Sequence, residues 1–355
     1  MAAKFNKGDV SEGILAAAIA ARFMSKTKTI NQTDVTNLIG KLSTATKGLK
    51  GSTSTTSFPS PNAEETVIDT VICKVNLAAN NMEAFLDTKT YNTPDIKSLI
   101  QSATVYANGT YIKEWADMLY NNNQKNTLEV NAEGLLDQTG TKVDLKIVID
   151  KIKCGVGVSL KAGNVKQFGQ VGGSKWSSMK TLFEPLGVNF SKQVEDSYID
   201  MLSKKQLAPA LTTAYTEAFK QITKKDQKFL RKAIADFMKH HATSGEENVV
   251  LVQLTSNTIK VYDFNLLEEK LNDKTITVNL TSGNTDTLTT GDFEGAGSMS
   301  KSSIPKMQFM IDGKILFEIR LKLEGNRFSP SAGKTLPLVV RNYIEKGEMT
   351  TKLLT

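Results

Sequence analysis

Three observations predict a mixed α/β fold for this chain. Apolar residues recur at helical spacing ahead of the Asn121, Asn122, Asn123 run. From Thr127 the period changes to strand-like alternation. Alternation returns over Val249 to Phe264, Thr275 to Thr281 and Lys306 to Leu323, so the C-terminal region is β-rich.

Val10 to Ser25 is alanine-rich and predicts a helix, with Asp9 or Ser11 as its cap. On that helix Glu12 falls in line with Leu15, Ala16, Ile19 and Phe23, so a carboxylate shares the apolar stripe. Gly48 to Asn62 (GLKGSTSTTSFPSPN) predicts a flexible surface connection. Helices are expected over Ala63 to Leu86, Pro94 to Ala103 and Tyr111 to Tyr120. Three antiparallel strands follow, over Thr127 to Glu133, Lys142 to Asp150 and Gly155 to Lys161, with turns at Asp137 to Gly140 and Asp150 to Lys153. Gly163 to Gly173 is a glycine-rich loop, and Lys175 to Leu186 carries Trp176, Met179 and Phe183 at helical spacing. Ser191 to His241 predicts two or three lysine-bearing helices interrupted at Pro209, and Pro337 to Glu345 a closing helix. The implied organisation is a core over 1–190 with an insertion near 48–62, a helical section over 191–244 and a β-rich region over 245–355.

Composition narrows the function classes. Lys and Arg number 44 against 37 Asp and Glu, a formal charge of +7, which suits a polyanionic partner. The two cysteines, Cys73 and Cys154, form no CxxC spacing, so no disulfide framework or zinc ribbon is encoded and a reducing cytoplasm is expected. The apolar run Gly13 to Ala21 is too short to span a bilayer, so no membrane role is expected. His240 and His241 are the only histidines, which argues against histidine-based hydrolysis. Gly333-Lys334-Thr335 ends like a phosphate-binding loop, but Phe328 stands where the leading glycine belongs, so a nucleoside triphosphate site is rejected.

The chemistry concentrates in a predicted hairpin. Paired positions summing to roughly 303 set Asp144 opposite Ser159. Val143, Leu145, Ile147 and Ile149 then share the core face with Val156, Val158 and Leu160, while Asp144, Ser159 and Lys161 share the other. Gly155 and Gly157 leave that second face open for close approach. An Asp and a Lys across a hairpin also fit a solvated cross-strand ion pair. With Glu12 beside them, two carboxylates call for a divalent cation.

Glu12 in an N-terminal helix, Asp144 early in a strand and Ser159-Leu160-Lys161 in the next resemble the PD-(D/E)xK superfamily of restriction endonuclease-like nucleases, and suggest a phage-encoded member. The run VSLKAGNVKQFGQVGG (Val158 to Gly173) resembles the segment after the catalytic lysine in such enzymes. The resemblance covers the chain as far as Leu186 and departs at Ser159, where the family carries an acid. It implies a central mixed sheet of restriction-endonuclease type flanked by helices, acting as an endonuclease that hydrolyses DNA phosphodiester bonds. Glu12 and Asp144 are then ligands of Mg²⁺ or Mn²⁺, Lys161 assists the attacking water and Ser159 occupies the second acid's place. Lys166, Gln167 and Arg320 are the candidate DNA contacts, although a plain loop fits the first two and a structural ion pair with Glu318 fits Arg320. The lysines from Lys204 to Lys232 fit a solvated helix face better than a duplex lining. A double-strand cut calls for a homodimer or two successive events, in the host cytoplasm if the chain is phage-encoded. The competing expectation is a catalytically inactive nuclease-fold DNA-binding or structural (virion or assembly) protein.

Overall fold

The computed structural model describes residues 5–25, 29–42, 44–47, 52–59, 68–87, 90–113, 126–132, 143–149, 152–173, 175–204, 207–246, 248–255, 258–283, 304–324 and 339–355. The fold is mixed α/β and divides into two compact units, residues 1–165 with 246–262 and residues 166–245 with 263–355. These boundaries differ from those expected at 190 and 244. The reason is long-range pairing: strand Ile152–Ala162 has as its parallel neighbour Val249–Leu254, so the chain leaves the first unit between two adjacent strands and returns. No local pattern reports such a partner.

In the first unit, helices α1 (Lys7–Met24), α2 (Gln32–Lys41), α3 (Ala79–Leu86) and α4 (Pro94–Asn108) accompany an eight-stranded sheet. Its strands are β1 (Thr44–Lys47), β2 (Ser52–Pro59), β3 (Ile68–Leu77), β4 (Asn126–Ala132), β5 (Leu145–Ile149), β6 (Ile152–Ala162), β8 (Val249–Leu254) and β9 (Ile259–Tyr262), in that spatial order. The pairs β3 with β4 and β6 with β8 are parallel and the others antiparallel. Register aligns Cys73 with Val130, Val130 with Ile147, Leu145 with Val158 and Leu160 with Val252, so one apolar face runs from β3 to β8. Against it lie α1, buried from Val10 to Phe23, and α4, through Ile96, Leu99, Ile100 and Ala103. A helix apolar on nearly every side must be enclosed in this way. No helix among the described residues is long and apolar enough to cross a membrane.

Two expectations for this unit are corrected. The segment read as a flexible connection holds β2, whose alternating Ser and Thr residues pair with β3 from Ser52 and Leu77 to Pro59 and Thr70. The helix expected over Ala63 to Leu86 is β3 followed by α3, because Val67 to Val75 combines β-branched residues with apolar spacing that both periods accommodate. The turn at Asp137 to Gly140 and the helix beyond residue 113 lie outside the described residues.

The second unit builds a five-stranded antiparallel sheet in the order β10 (Ile276–Gly283), β11 (Ile304–Ile311), β12 (Lys314–Glu324), β13 (Val339–Lys346), β7 (Gln167–Gly172). Helices α5 (Trp176–Phe183), α6 (Lys192–Ser203), α7 (Leu207–Ile222), α8 (Gln227–Thr243), α9 (Leu267–Leu271) and α10 (Glu348–Leu354) complete it. Phe309 and Phe317 stack at 4.3 Å between ring centroids, and Phe237 of α8 packs 5.5 Å from Phe317. The glycine-rich loop is in part strand β7, and the expected closing helix is strand β13; β7 gains its hydrogen bonds from β13, and β13 from β7 and β12, tertiary pairings that outweigh local glycine or helix preference. Pro209 lies in the first turn of α7, where a missing N–H costs nothing, so it starts a helix and does not interrupt one.

Candidate functional site

The site begins at the N-terminus of α1. Asn6 caps the helix, its side chain accepting the Gly8 N–H at 2.9 Å, so the helix opens earlier than Asp9 or Ser11 would start it. Asp9 therefore lies in the first turn, one turn before Glu12 and on the same side. Asp9 Oδ1 accepts from Asn6 Nδ2 at 2.8 Å and Oδ2 from Asn81 Nδ2 at 2.6 Å. Asn81 in turn accepts the Asn6 N–H at 2.8 Å, so two amides hold the Asp9 carboxylate in place. Glu12 is buried at 9% exposure, and its Oε2 has no hydrogen-bond partner among the described residues. Next to it, Gly13 admits Phe85 and Val75 to within about 3 Å of where a Cβ would stand, which seats α1 tightly on β3.

The hairpin has the expected offset: Leu145 faces Val158 and Lys146 faces Gly157. Beyond the last pair, Asp144 departs from the regular strand. Its backbone N–H donates to the Val158 carbonyl at 2.9 Å, and its carboxylate Oδ2 accepts the Leu160 N–H at 2.5 Å. This bend corrects the expected faces. Val143 does not continue the inward row but turns over the other side, where its Cγ1 and the Val249 Cγ2 stand 2.9 and 2.7 Å from a Cβ built on Gly157. The space beside Gly157 is filled by valine methyls and is not an open crevice. Ser159 is buried at 1% exposure opposite Leu251, and Lys161, half-buried, is aligned with Gln253. Gln253 donates to the Gly163 and Val165 carbonyls at 2.6 and 3.2 Å, which fixes the strand end that carries Lys161.

The charges of this end of the unit act on one another. Burial, then the negative charges of Asp144 and Asp9, push the Glu12 carboxyl up to about 9, with Lys161 partly offsetting them. Burial also raises Asp144, against the opposing pull of Lys161 and the Leu160 N–H and with a further push from Asp9. Asp9 is raised by burial and steadied by its hydrogen bonds. Three carboxylates thus resist ionisation in a poorly solvated place, with Lys161 the cation acting on Glu12 and Asp144. That is the donor chemistry a divalent cation relieves, although among the described residues no group of three or more His, Cys, Asp or Glu side chains is arranged to hold a metal ion. Cys73 offers no alternative chemistry: it is buried and its thiol is pushed up to about 12.

Lys166, Gln167 and Arg320 belong to the other unit. Gln167 opens β7 and donates to the Gln170 side chain at 3.0 Å, while Arg320 of β12 lies between Lys306 and Tyr343. Glu318 is bridged by Lys306 of β11 at 3.1 Å and accepts from the Gln308 side chain at 3.1 Å. Asp9 and Asn81 were not legible as site residues; the three-residue spacing of Asp9 and Glu12 was the available signal for the first, and nothing local marked the second. Scans against family models, curated proteins and solved structures return no match to this chain.

Proposed function

We propose that the chain is a metal-dependent endonuclease acting on DNA, with Glu12, Asp144, Ser159 and Lys161 as its working residues and a PD-(D/E)xK-like core. The observation that carries this reading is the Glu12 carboxylate, buried with an orphaned oxygen on the helix opposite the hairpin and subject to the charges of Asp144 and Lys161. An acid kept there without a function costs stability, and an acid with an unused acceptor is suited to a cation. Glu12 and Asp144 would hold Mg²⁺ or Mn²⁺, which when bound polarises a phosphoryl group and acidifies a water. Lys161 places a positive charge where the phosphate develops negative charge, and the Leu160 N–H orients Asp144. Ser159 contributes a hydroxyl and no charge. The free, buried Cys73 suits work in a reducing cytoplasm.

Plasmid cleavage with Mg²⁺ or Mn²⁺ is the test. Asp144→Ala and Lys161→Ala should each lower the rate by about 10²–10⁴-fold, the range for a lost catalytic group. Unaltered cutting in both variants would sink the reading. A second reading draws on the buried, uncharged Ser159 and on the lack of a three-acid group among the described residues: an inactive nuclease-fold DNA-binding or structural protein. It predicts salt-sensitive DNA retention, or none, without any cutting.

A further inference from the structure

Strand β8 reads Val249-Val250-Leu251-Val252-Gln253-Leu254, and in this apolar run Gln253 is the one polar side chain. It is 4% exposed, so its amide has lost its water and needs partners within the protein. It finds them at the end of the strand that carries Lys161. Nε2 donates to the Gly163 and Val165 carbonyls at 2.6 and 3.2 Å, and Oε1 accepts from the Tyr262 hydroxyl at 3.4 Å. The parallel register sets Gln253 level with Lys161, and residues level with each other on neighbouring strands share a sheet face. Val165 and Tyr262 are also the residues at which the chain leaves the first unit, so one amide secures both departures beside the lysine.

We propose that Gln253 is a positioning residue for Lys161. The proposal rests on the reading of Lys161 as a working residue of a nuclease and names the group that fixes its place. Just after Lys161 and Ala162 the chain turns: Gly163 is left-handed, with φ at 78°, and its N–H donates to the Leu254 carbonyl at 2.7 Å. Asn164 and Val165 beyond it are exposed. A strand end of this kind opens locally, because its outer carbonyls can exchange protein partners for water. Gln253 holds two of those carbonyls from a buried, rigid strand, and so restrains the backbone from which the half-buried Lys161 projects. A leucine at the same place would continue the apolar strand and need no partners. The amide is therefore kept for what it ties, and that is the backbone directly following the lysine.

The test compares Gln253→Leu with the unaltered full chain in two measurements. In plasmid cleavage with Mg²⁺, kcat should fall about 10²-fold, the order of loss for a group displaced by about 1 Å, while KM stays unchanged. Independently of cutting, the rate at which acetic anhydride labels Lys161, read by mass spectrometry, should rise several-fold. Lys74 on β3, paired with Glu129, is the internal reference and should label as before. A variant that melts earlier but keeps both its kcat and its Lys161 labelling shows a structural tie only and overturns the proposal. A loss carried by KM alone, or faster labelling with kcat intact, overturns it as well. If the unaltered protein cuts nothing, the nuclease reading fails, and the labelling rate still decides whether Gln253 holds Lys161. Gln253→Glu has the same shape but at most one proton to donate; it replaces the leucine variant should that one not fold, and its kcat and labelling should move in the same directions.

Discussion

In the unit of the eight-stranded sheet the clustered carboxylates lie about a buried helix, whereas in the unit of the five-stranded sheet the charges of β11, β12 and β13 stand on the face turned away from the aromatic core. Glu12 is enclosed and its Oε2 has no partner among the described residues; Glu318 is met by a lysine and a glutamine. The difference teaches where a charge becomes reactive. A charge that finds a partner is compensated, while an enclosed one without a partner keeps a free-energy penalty that a proton or a cation can remove.

Core truncations should break each half separately. Phe317→Ala removes one ring of the stacked pair and should cost about 3–5 kcal/mol, and Ile14→Ala under α1 about 2–5 kcal/mol. Chemical denaturation followed by a unit-specific probe checks this; equal loss of both halves from either variant would mean that they do not unfold as separate compact units.

Glu12→Gln sharpens the contrast. An acid whose folded value, about 9, lies above its ordinary 4.5 supports stability fully below about pH 4.5 and loses that support as pH rises toward 9. At pH 7 the neutral variant should therefore gain roughly 3 kcal/mol in the metal-free protein, and its advantage should shrink toward pH 5. Melting curves from pH 5 to 9 decide it, and parallel profiles for the two proteins would contradict the buried-acid account. Under the proposed metal site Mn²⁺ should reverse the order, because the cation stabilises only the ionised acid.

Asp9→Asn removes the charge and turns one of its two accepting oxygens into an NH2 that faces an amide donor, so the midpoint of that pH dependence should move down, and the one lost amide contact should cost less than the Glu12 effect. Smallest of all, Lys74→Ala breaks a 2.7 Å cross-strand pair with Glu129 on the polar side of the large sheet and should cost at most about 1 kcal/mol. A larger loss there would show that exposed pairs do more in this protein than the comparison allows.

Much of the hairpin was readable from residues alone, because alternation is a local property. Leu145, Ile147, Val158 and Leu160 announce an inward face, and short-range pairing follows from a short turn. The alanine-rich helix with one misplaced carboxylate was readable for the same reason. Its cap was not: Asp9 and Ser11 are the local candidates, whereas Asn6 accepts the Gly8 N–H and is held by Asn81 from another helix. Strands such as β2, β7 and β13 escaped notice because Ser, Thr, Gly and Pro signals describe a chain without partners, whereas β2 pairs with the next strand, β3, and β7 and β13 pair with each other across a long stretch of sequence.

By itself, then, the amino-acid order determined the α/β class, the offset that sets Asp144 near Ser159, and the presence of Glu12 on an otherwise apolar helix. Tertiary structure decided the rest: that α1 buries Glu12 under the charges of Asp144 and Lys161, that Val143 fills the space beside Gly157, and that the chain makes a second unit between two neighbouring strands. Periodicity is written in neighbouring residues, but burial and field depend on which surfaces meet, and those surfaces come from well-separated parts of the polypeptide.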